Sequence, residues 1–408
     1  MGNYGSLVLY RFLLVLVLGA GLGGAQADGT PINLSGDWAF HPGDDLRWAN
    51  PSFDDSDWQR LHVPKPWGRQ GITADWGWYR LRLPLVDVRP ANEALAVTVG
   101  DVTSAYELYA NGQLVGSLGS LPPGSEVRYG EHKAFVIPDE AVAGADALVL
   151  ALRVWKVPTA FRSWQAGAYG GPFLLGSLSQ LEVRQLRATL LPLVLSVLYL
   201  LVALYHLHLF VRARALREYL WYGLLTLGIA IFTFFSSQWK FGLDLPFVVL
   251  KKLEHGALYL LPALVLELVL SFFAVKLNRW LRLLQGLFVL FTLFIIFIPG
   301  LDIHYLTLDP WSLLAFLTNL GCAGLVAWRS FQGHAEARII LVGGLIFLAT
   351  SLNDLALDQG LVRSAELLPL GFAALVLFMT FLLANRFTKL YTDTEKLVAQ
   401  RTQELANL

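Results

Sequence analysis

Long apolar runs alternate with short charged loops from Leu190 to Arg386. Each run approaches the roughly 20 apolar residues with which a helix crosses a hydrocarbon core of about 30 Å. Lipid-exposed helices are apolar on nearly every face, whereas a large soluble α-helical core, the alternative, keeps polar faces on its outer helices. The pattern therefore predicts seven membrane-spanning helices, with approximate cores at Leu190–Val211, Tyr219–Ser237, Phe247–Phe273, Leu281–Ile298, Trp311–Trp328, Ile339–Ala356 and Leu367–Ala384.

Basic residues are distributed unevenly between the predicted loops. If the N-terminus is outside, the cytoplasmic loops hold Arg212, Arg214, Arg217, Lys276, Arg279, Arg282, Arg329, Arg338, Arg386 and Lys389, and the opposite loops hold only Lys240, Lys251, Lys252 and Arg363. Loops rich in Lys and Arg stay on the cytoplasmic side of a membrane. We therefore expect the N-terminus outside and the C-terminus in the cytoplasm.

The N-terminal segment has the features of a secretory signal peptide. Arg11 precedes the apolar run Phe12–Ala20, and Ala25-Gln26-Ala27 supplies the small residues of a cleavage site. An uncleaved eighth helix is the alternative, although the apolar run is shorter than a span requires. Both versions export the chain from Asp28 onward, and we expect residues 1–27 to be removed. In a bacterial cell the exported part lies in the periplasm.

Residues 28–183 have the periodicity of β-strands. Polar and apolar residues alternate over Trp78–Leu83 and again over Leu148–Trp155, and Asn111-Gly112 lies between two further short strands. An Asn-Gly pair supplies the positive φ angles of a tight hairpin turn. Short strands separated by Gly and Pro predict an antiparallel sandwich or jelly roll. Because the one cysteine, Cys322, lies in the fifth span, this domain must be stabilised by its core alone.

Four blocks follow one another in this domain: Leu34–Phe40, Phe53–Trp58, Val63–Trp67 and Gly77–Arg80. In this order they resemble the sugar-binding jelly-roll domain of family 2 glycoside hydrolases. The resemblance implies the jelly-roll fold. It does not imply catalysis, because in those enzymes it would assign catalysis to a separate barrel domain that this chain lacks. We expect no catalytic residues in the chain.

Two loops of this domain combine aromatic rings with charged groups, which together recognise a sugar or a sugar acid. The candidate ligand-binding residues are Trp67, Arg69, Asp75 and Trp76 in the first loop and Lys156, Arg162 and Trp164 in the second. As an alternative, Trp67 and Trp164 fill the ends of the sandwich or dock onto the membrane helices. The expected ligand is a carbohydrate or a small acidic metabolite.

Ionisable residues are few in the predicted spans, and each is costly in lipid unless it has a partner. Glu254 and His255 lie near the outer end of the third span, and Asn353 and Asp354 lie near the outer end of the sixth. We predict a polar switch in which these four residues share a hydrogen-bond network that differs between signalling states. The alternative is that they only fix helix packing.

After the seventh span the composition changes from apolar to charged. Residues spaced by fours and threes, as in the a and d positions of a coiled coil, are Phe387, Tyr391, Thr394, Val398, Arg401, Leu405 and Leu408. The spacing predicts a cytoplasmic coiled coil over residues 387–408 and hence a homodimer, with an ordinary amphipathic tail as the alternative. We expect the natural chain to continue beyond Leu408 into an output domain.

The order of these parts resembles the bacterial seven-transmembrane receptors with diverse intracellular signalling modules. The local resemblance lies in Tyr205-His206-Leu207, Glu218–Leu224 and Leu352-Asn353-Asp354. In that family the cytoplasmic module is a diguanylate cyclase, a histidine kinase or a phosphatase. The resemblance therefore implies a receptor that relays a periplasmic signal to such an effector.

Together these features predict a multi-domain membrane protein. Its parts are an all-β jelly-roll sandwich outside (28–183), a seven-helix transmembrane bundle (184–386) and a C-terminal coiled-coil helix (387–408). The predicted function is signal transduction across the bacterial inner membrane, and the alternative is a transporter or envelope adaptor whose periplasmic domain docks a partner. The expected partners are a periplasmic small molecule, membrane lipid and a second copy of the chain. No cofactor, metal or nucleic acid is expected.

Overall fold

The computed structural model describes residues 30–85, 93–157, 166–276, 278–358 and 367–407. The predicted signal peptide and two candidate ligand-binding residues, Arg162 and Trp164, lie outside the described residues. The chain divides into two compact units. One comprises Met1–Lys156 with Ala166–Arg184, and the other comprises Val157–Gln165 with Gln185–Leu408.

The first unit is an antiparallel β-sandwich. Its described strands are β1 Ile32–Asn33, β2 Gly36–Pro42, β3 Gln59–Val63, β4 Trp76–Pro84, β5 Leu95–Thr98, β6 Asp101–Thr103, β7 Ala105–Ala110, β8 Gln113–Leu118, β9 Ala134–Val136, β10 Ala147–Trp155, β11 Gly167–Gly170 and β12 Leu174–Ser177. One sheet has the strand order β3-β2-β4-β10-β7-β8, and the facing sheet has the order β1-β12-β5-β9. Strands β6 and β11 form a separate pair.

The core of the sandwich lies between the two larger sheets. Tyr79 of β4 packs edge-on against Phe40 and Trp38, with ring centroids 5.0 and 6.5 Å away. Val97 and Leu175 of the facing sheet are buried in the same cluster. Buried aromatic rings remove a large apolar area from water. Such a core can hold the domain together without a disulfide.

Arg80 follows Tyr79 in β4 and therefore faces the other side of the sheet. Its side chain is nevertheless buried. The guanidinium group bonds to the carboxylate of Asp55 and to the carbonyl oxygens of Trp48, Asn50 and Phe53. A buried charge is tolerated when it is paired and fully hydrogen-bonded in this way. Arg80 thus fastens the β2–β3 loop to the outer face of the six-stranded sheet.

The predicted tight turn joins β7 to β8. Asn111 and Gly112 have φ angles of 46° and 87°, the positive values that the sequence predicted. The Asn111 side chain also accepts a hydrogen bond from Val149 N at 2.7 Å and donates one to Ala141 O at 2.8 Å. The turn is therefore fixed to β10 as well as to its own hairpin.

The second unit is built from long helices. Those described are α1 Leu178–Arg212, α2 Arg217–Ser236, α3 Phe247–Phe272, α4 Arg279–Phe297, α5 Asp302–Phe331, α6 Ala335–Asp358 and α7 Leu368–Ala406. Seven helices in the described residues are long and apolar enough to cross a membrane. The predicted fold class, a multi-domain membrane protein with a β-sandwich and seven spans, is confirmed.

Two helices extend well beyond their predicted spans. Helix α1 already begins at Leu178, and in its first turns Leu181 is buried against Ala96 and Leu174 of the sandwich. Helix α7 continues without a break to Ala406. It therefore joins the seventh span and the predicted coiled-coil segment in one continuous helix.

Candidate functional site

The antiparallel strand order brings several strand ends together at one end of the sandwich, here called the loop end. Trp76 at the start of β4 and Ala105 at the start of β7 both pair with Trp155 at the end of β10. Lys156 Nζ lies 3.1 Å from Asp75 Oδ1, and the backbone N–H of Lys156 donates to Asp75 O at 2.8 Å. The structure therefore brings Asp75, Trp76 and Lys156 together from both predicted loops.

Trp76 is partly exposed beside this ion pair. The Arg153 guanidinium lies 5.0 Å from the Trp76 ring centroid and forms ion pairs with Asp44 at 2.6 Å and Glu107 at 2.9 Å. Burial lowers the pKa of Arg153, but the two carboxylates raise it by more, so the net shift is upward. The Arg153 guanidinium therefore stays charged beside the Trp76 ring.

Trp67 lies in a different environment from Trp76. It is fully buried, its Nε1 donates to the Tyr79 hydroxyl at 2.6 Å, and its ring lies 5.5 Å from that of Phe40. A ligand reaches no atom of this side chain, so we assign Trp67 to the sandwich core and leave it out of the ligand contacts. Arg69 is partly exposed in the 3-10 turn that Trp67 begins.

Glu254 of α3 belongs to a buried group of charged side chains. Its Oε2 lies 2.7 Å from Lys240 Nζ and 3.1 Å from Lys251 Nζ. Burial and the charge of Lys251 lower the pKa of Lys240, in the turn between α2 and α3, to about 8. His255 Nδ1 donates to Lys251 O at 2.9 Å, and its ring centroid lies 3.7 Å from that of His304 in α5. The group links α3 to the preceding turn and to α5.

Asp354 of α6 has different partners. Its Oδ1 and Oδ2 accept hydrogen bonds from the backbone N–H groups of Leu367 and Leu368, both at 2.8 Å, and Asn353 Nδ2 donates to Oδ1 at 2.9 Å. A carboxylate in this position satisfies free N–H groups and interacts favourably with the helix dipole. Among the described residues, the hydrogen bonds given for Glu254 and Asp354 go to different partners, and a network that joins all four residues stays a prediction.

The Asp354 cap leads to a prediction about stability. Asp354→Ala should lower the free energy of unfolding of the bundle by about 1 kcal/mol, since the first N–H groups of α7 lose their acceptor. Thermal unfolding in nanodiscs would measure the effect. Asp244→Ala, a change in an exposed loop position, should leave the melting temperature unchanged. Equal melting temperatures for the two variants would show that the cap does not hold α7.

Three buried tyrosines of α1 and α2 bond to the backbone of α7. The hydroxyls of Tyr199, Tyr222 and Tyr219 donate to the carbonyl oxygens of Pro369, Val376 and Leu383, with distances of 3.0, 2.7 and 2.9 Å. The acceptors are seven residues apart, close to two helical turns, so they lie along one face of α7. A carbonyl oxygen has a second lone pair for such a bond. We call this set the tyrosine ladder.

Further contacts surround the ladder. The Tyr222 hydroxyl lies 2.8 Å from Thr380 Oγ1, and the His206 ring packs edge-on against Tyr222 with centroids 4.6 Å apart. Arg386 Nη1 lies 3.4 Å from Glu218 Oε1. The sequence marked His206 and the Glu218 segment through a family resemblance, but it gave no sign of the hydroxyl acceptors. The ladder and these contacts hold α7 from its start to Arg386.

The helical unit matches a known family. Residues 188–386 match the family model described as 7TM diverse intracellular signalling. This segment is therefore similar to that family, and the resemblance predicted from its helices is confirmed.

The sandwich resembles a different group of proteins. Over 106 residues the chain is 31% identical to the beta-galactosidase BoGH2A of Bacteroides ovatus, covering 22% of this chain and 12% of that protein. This match confirms the predicted resemblance to family 2 glycoside hydrolases.

Solved structures similar to part of the chain include two beta-glucuronidases. The Bacteroides uniformis enzyme has a TM-score of 0.29 and 20% identity, covering 36% of this chain and 18% of its own. The Lactobacillus rhamnosus enzyme has a TM-score of 0.28 and 17% identity, covering 37% of this chain and 29% of its own. The chain thus spans less than a third of the length of each of these relatives.

Proposed function

We propose that this protein is a receptor that lies in the bacterial inner membrane and senses a carbohydrate or small metabolite in the periplasm. In this proposal residues 28–183 are the sensor, residues 184–386 relay the signal, and residues 387–408 pair as a coiled coil in the cytoplasm. The paired helices act on an effector such as a diguanylate cyclase or a histidine kinase, as the family resemblance implies.

The proposal rests on the hydrogen bonds that join α7 to the helices around it. The helix runs from Leu368 to Ala406 without a loop between the span and the tail. Its spanning part is bonded to α1 and α2 through the tyrosine ladder and is capped by Asp354. A shift of α1 or α2 against α7 therefore moves the tail too. Two discrete packings of such helices would serve as the two states of a switch.

Helix α1 supplies the input in this proposal. Leu181 packs against Ala96 and Leu174 of the sandwich, and Tyr199 lies 18 residues further along the same helix. In this proposal the continuous helix α1 carries a change in the sandwich to Tyr199 and so to α7.

The loop end of the sandwich is the proposed ligand site. Its ion pair between Asp75 and Lys156 offers polar groups, and the Trp76 ring beside it offers a stacking surface. Sugars and sugar acids are bound by this combination. The proposed contacts are Arg69, Asp75, Trp76, Lys156, Arg162 and Trp164.

Exposed apolar residues of the tail support a homodimer. Tyr391, Val398 and Leu405 are seven residues apart, and 60%, 58% and 73% of their surfaces are exposed in the single chain. A heptad stripe of this kind is stable when a second helix covers it. A second copy of the chain is the proposed cover.

Ligand sensing can be tested on residues 28–183 produced alone, which should fold without oxidant. A ligand at ten times its Kd should stabilise the domain by about 1.4 kcal/mol, which raises the melting temperature by about 3–5 °C. D-galactose and D-glucuronate are suitable first probes, because one is neutral and the other acidic and because the relative from Bacteroides ovatus is a beta-galactosidase.

Two variants sharpen the thermal-shift experiment. Lys156→Met should reduce the shift, whereas Arg60→Met, at an exposed position of β3, should not. If no compound in a broad screen of sugars and acidic metabolites raises the melting temperature, the proposal that this domain senses a small molecule directly is wrong.

A further inference from the structure

Two histidines, here called the histidine pair, meet where α3 packs against α5. The ring centroids of His255 in α3 and His304 in α5 lie 3.7 Å apart, with the ring planes inclined at 64°. Both residues lie within three turns of the start of their helices, which begin at Phe247 and Asp302. The predicted topology places these ends on the periplasmic side. The His255 side chain is 12% exposed there, which gives protons a route to the pair.

The hydrogen bonding of His255 shows which ring nitrogen can take up a proton. Nδ1 lies 2.9 Å from the carbonyl oxygen of Lys251. A carbonyl oxygen only accepts, so Nδ1 carries a hydrogen, and Nε2 is the unprotonated nitrogen of the neutral ring. Nε2 lies 3.9 Å from Glu254 Oε1. A proton taken up at Nε2 therefore gives His255 a positive charge beside the Glu254 carboxylate.

Glu254 already has two cationic partners. Its Oε2 lies 2.7 Å from Lys240 Nζ and 3.1 Å from Lys251 Nζ, and its Oε1 lies 3.2 Å from Lys251 Nζ. Two ammonium groups against one carboxylate leave one positive charge in excess while the histidines are neutral. A protonated His255 is a third cation that competes for the same carboxylate. If His304 is protonated as well, two like charges are in contact, and they repel strongly because little water screens them.

The elements packed around the histidine pair present few further charges. On α5, Asp302 and Asp309 are exposed. On α4, Ile296 lies against Gly256, where a Cβ atom would come within 3.3 Å of it. The ionisable residues of α2 are in its first two turns, at its opposite end: Arg217, Glu218, Tyr219 and Tyr222. The charges that act on His255 are therefore those of Glu254, Lys251 and Lys240.

The histidine pair is connected to the helices of the proposed relay. Lys240 lies in the 3-10 turn Gln238–Gly242, which follows α2 directly, and α2 carries Tyr219 and Tyr222 of the tyrosine ladder. When Glu254 bonds to Lys240, it fastens this turn to α3. A change in the bonds of Glu254 therefore acts on α2, and a change in the histidine contact acts on α5.

We propose that His255 and His304 form a proton-sensing site through which acidification of the periplasm changes the packing of α3 against α5. The inference uses the proposed relay and adds an input that is independent of the ligand site on the sandwich. At neutral pH the uncharged rings stay in contact. In acid, Nε2 of His255 is protonated, Glu254 turns from the two lysines toward it, and repulsion between the positive charges separates the rings. Histidine suits this role because its ordinary pKa is about 6.5.

The test is fluorine-19 NMR of the full chain, labelled with 5-fluorotryptophan, in nanodiscs without sugar. Trp311 of α5 is the reporter, because its ring stacks on Tyr259 of α3 with centroids 4.5 Å apart. The Trp311 signal is assigned by its loss in Trp311→Phe. In the wild-type chain this signal should shift along a titration curve with its midpoint between about pH 5 and pH 7. His255→Gln and His304→Gln should each lose most of that shift.

Two comparisons show whether the histidine pair is what titrates. His334→Gln changes an exposed histidine in the loop between α5 and α6, and this variant should titrate like wild type. Burial and the charge of Lys251 lower the pKa of Lys240 to about 8. A midpoint near pH 8 that persists in both variants of the pair would assign the titration to Lys240 and overturn the proposal. A Trp311 signal that stays constant in the wild-type chain would also overturn it.

Inverted membrane vesicles test whether the site changes the output. They enclose the side that the proposed topology makes periplasmic, and a chimera with a diguanylate cyclase after Leu408 reports to the medium outside. Acidifying the interior by two pH units at constant external pH should change cyclic di-GMP synthesis about threefold or more, since one linked proton shifts an equilibrium at most tenfold per unit. His334→Gln should respond in the same way, and His255→Gln and His304→Gln should not respond.

The outcomes distinguish the proton site from the proposed function. A chimera that responds to a sugar but not to the internal pH overturns proton sensing and leaves the receptor intact. Residues 28–183 that bind no sugar contradict the sensing proposal but leave the Trp311 titration unaffected, because the histidine pair lies in the helical unit.

Discussion

Replacing Tyr199, Tyr219 and Tyr222 together by Phe is expected to reduce the ligand-dependent change in output about twentyfold. Each change removes one hydroxyl bonded to the α7 backbone and keeps the ring. Hydrogen bonds between membrane helices average about 0.6 kcal/mol, so losing three weakens the hold on α7 by about 1.8 kcal/mol, a factor of about twenty. A chimera with a diguanylate cyclase after Leu408 would report the output as cyclic di-GMP.

The matched control for the ladder is Tyr205→Phe. Tyr205 lies on the same helix as Tyr199, but more than half of its surface is exposed in the bundle. This variant should respond like wild type, and both variants should insert normally into the membrane. A triple variant that inserts and responds like Tyr205→Phe would contradict a role of the ladder in signalling.

Inserting four residues after Thr392 is expected to abolish the response, whereas inserting seven should preserve most of it. Four residues rotate the downstream helix by about 40° relative to the span, and seven change its phase by only about 20° in a straight helix. In a paired helix with a repeat of 3.5 residues per turn, seven residues restore the a and d positions. The effect is large because α7 has no break that could absorb the rotation.

The same cyclic di-GMP chimera measures both insertions. Comparing them controls for the added length, since the seven-residue insertion moves the output domain further from the membrane than the four-residue one does. Equal activity of the two would remove the paired-helix mechanism and leave the tail as a tether.

The features that the sequence predicted correctly have local causes. Seven apolar runs of membrane length specify seven spans because lipid requires apolar side chains on nearly every face. Asn111-Gly112 specifies its turn because few other residue pairs adopt two positive φ angles. Both signals lie within short windows of the chain and depend little on distant residues.

The ladder could not be predicted in this way. Its tyrosines bond to backbone oxygens between 154 and 170 residues away, and every residue has such an oxygen. Trp67 failed as a ligand residue for a related reason: an aromatic side chain in a loop has the same local signature whether it contacts solvent or fills the sandwich. The N–H groups that bond to Asp354 belong to Leu367 and Leu368, and they come within reach of its carboxylate only when α7 folds beside α6.

The central claim, that ligand binding changes the relation between two paired α7 tails, can be tested by disulfide crosslinking in membranes. Cys322 is the only cysteine and is buried, so Cys322→Ser gives a background for single cysteines at successive positions from Tyr391 to Leu405. We predict crosslinked dimers at Tyr391, Thr394, Val398 and Leu405, little crosslinking at Lys396, and crosslinking rates that change when a bound sugar is added. Monomers at every position, or dimers whose crosslinking pattern does not respond to a sugar that binds, would contradict the claim.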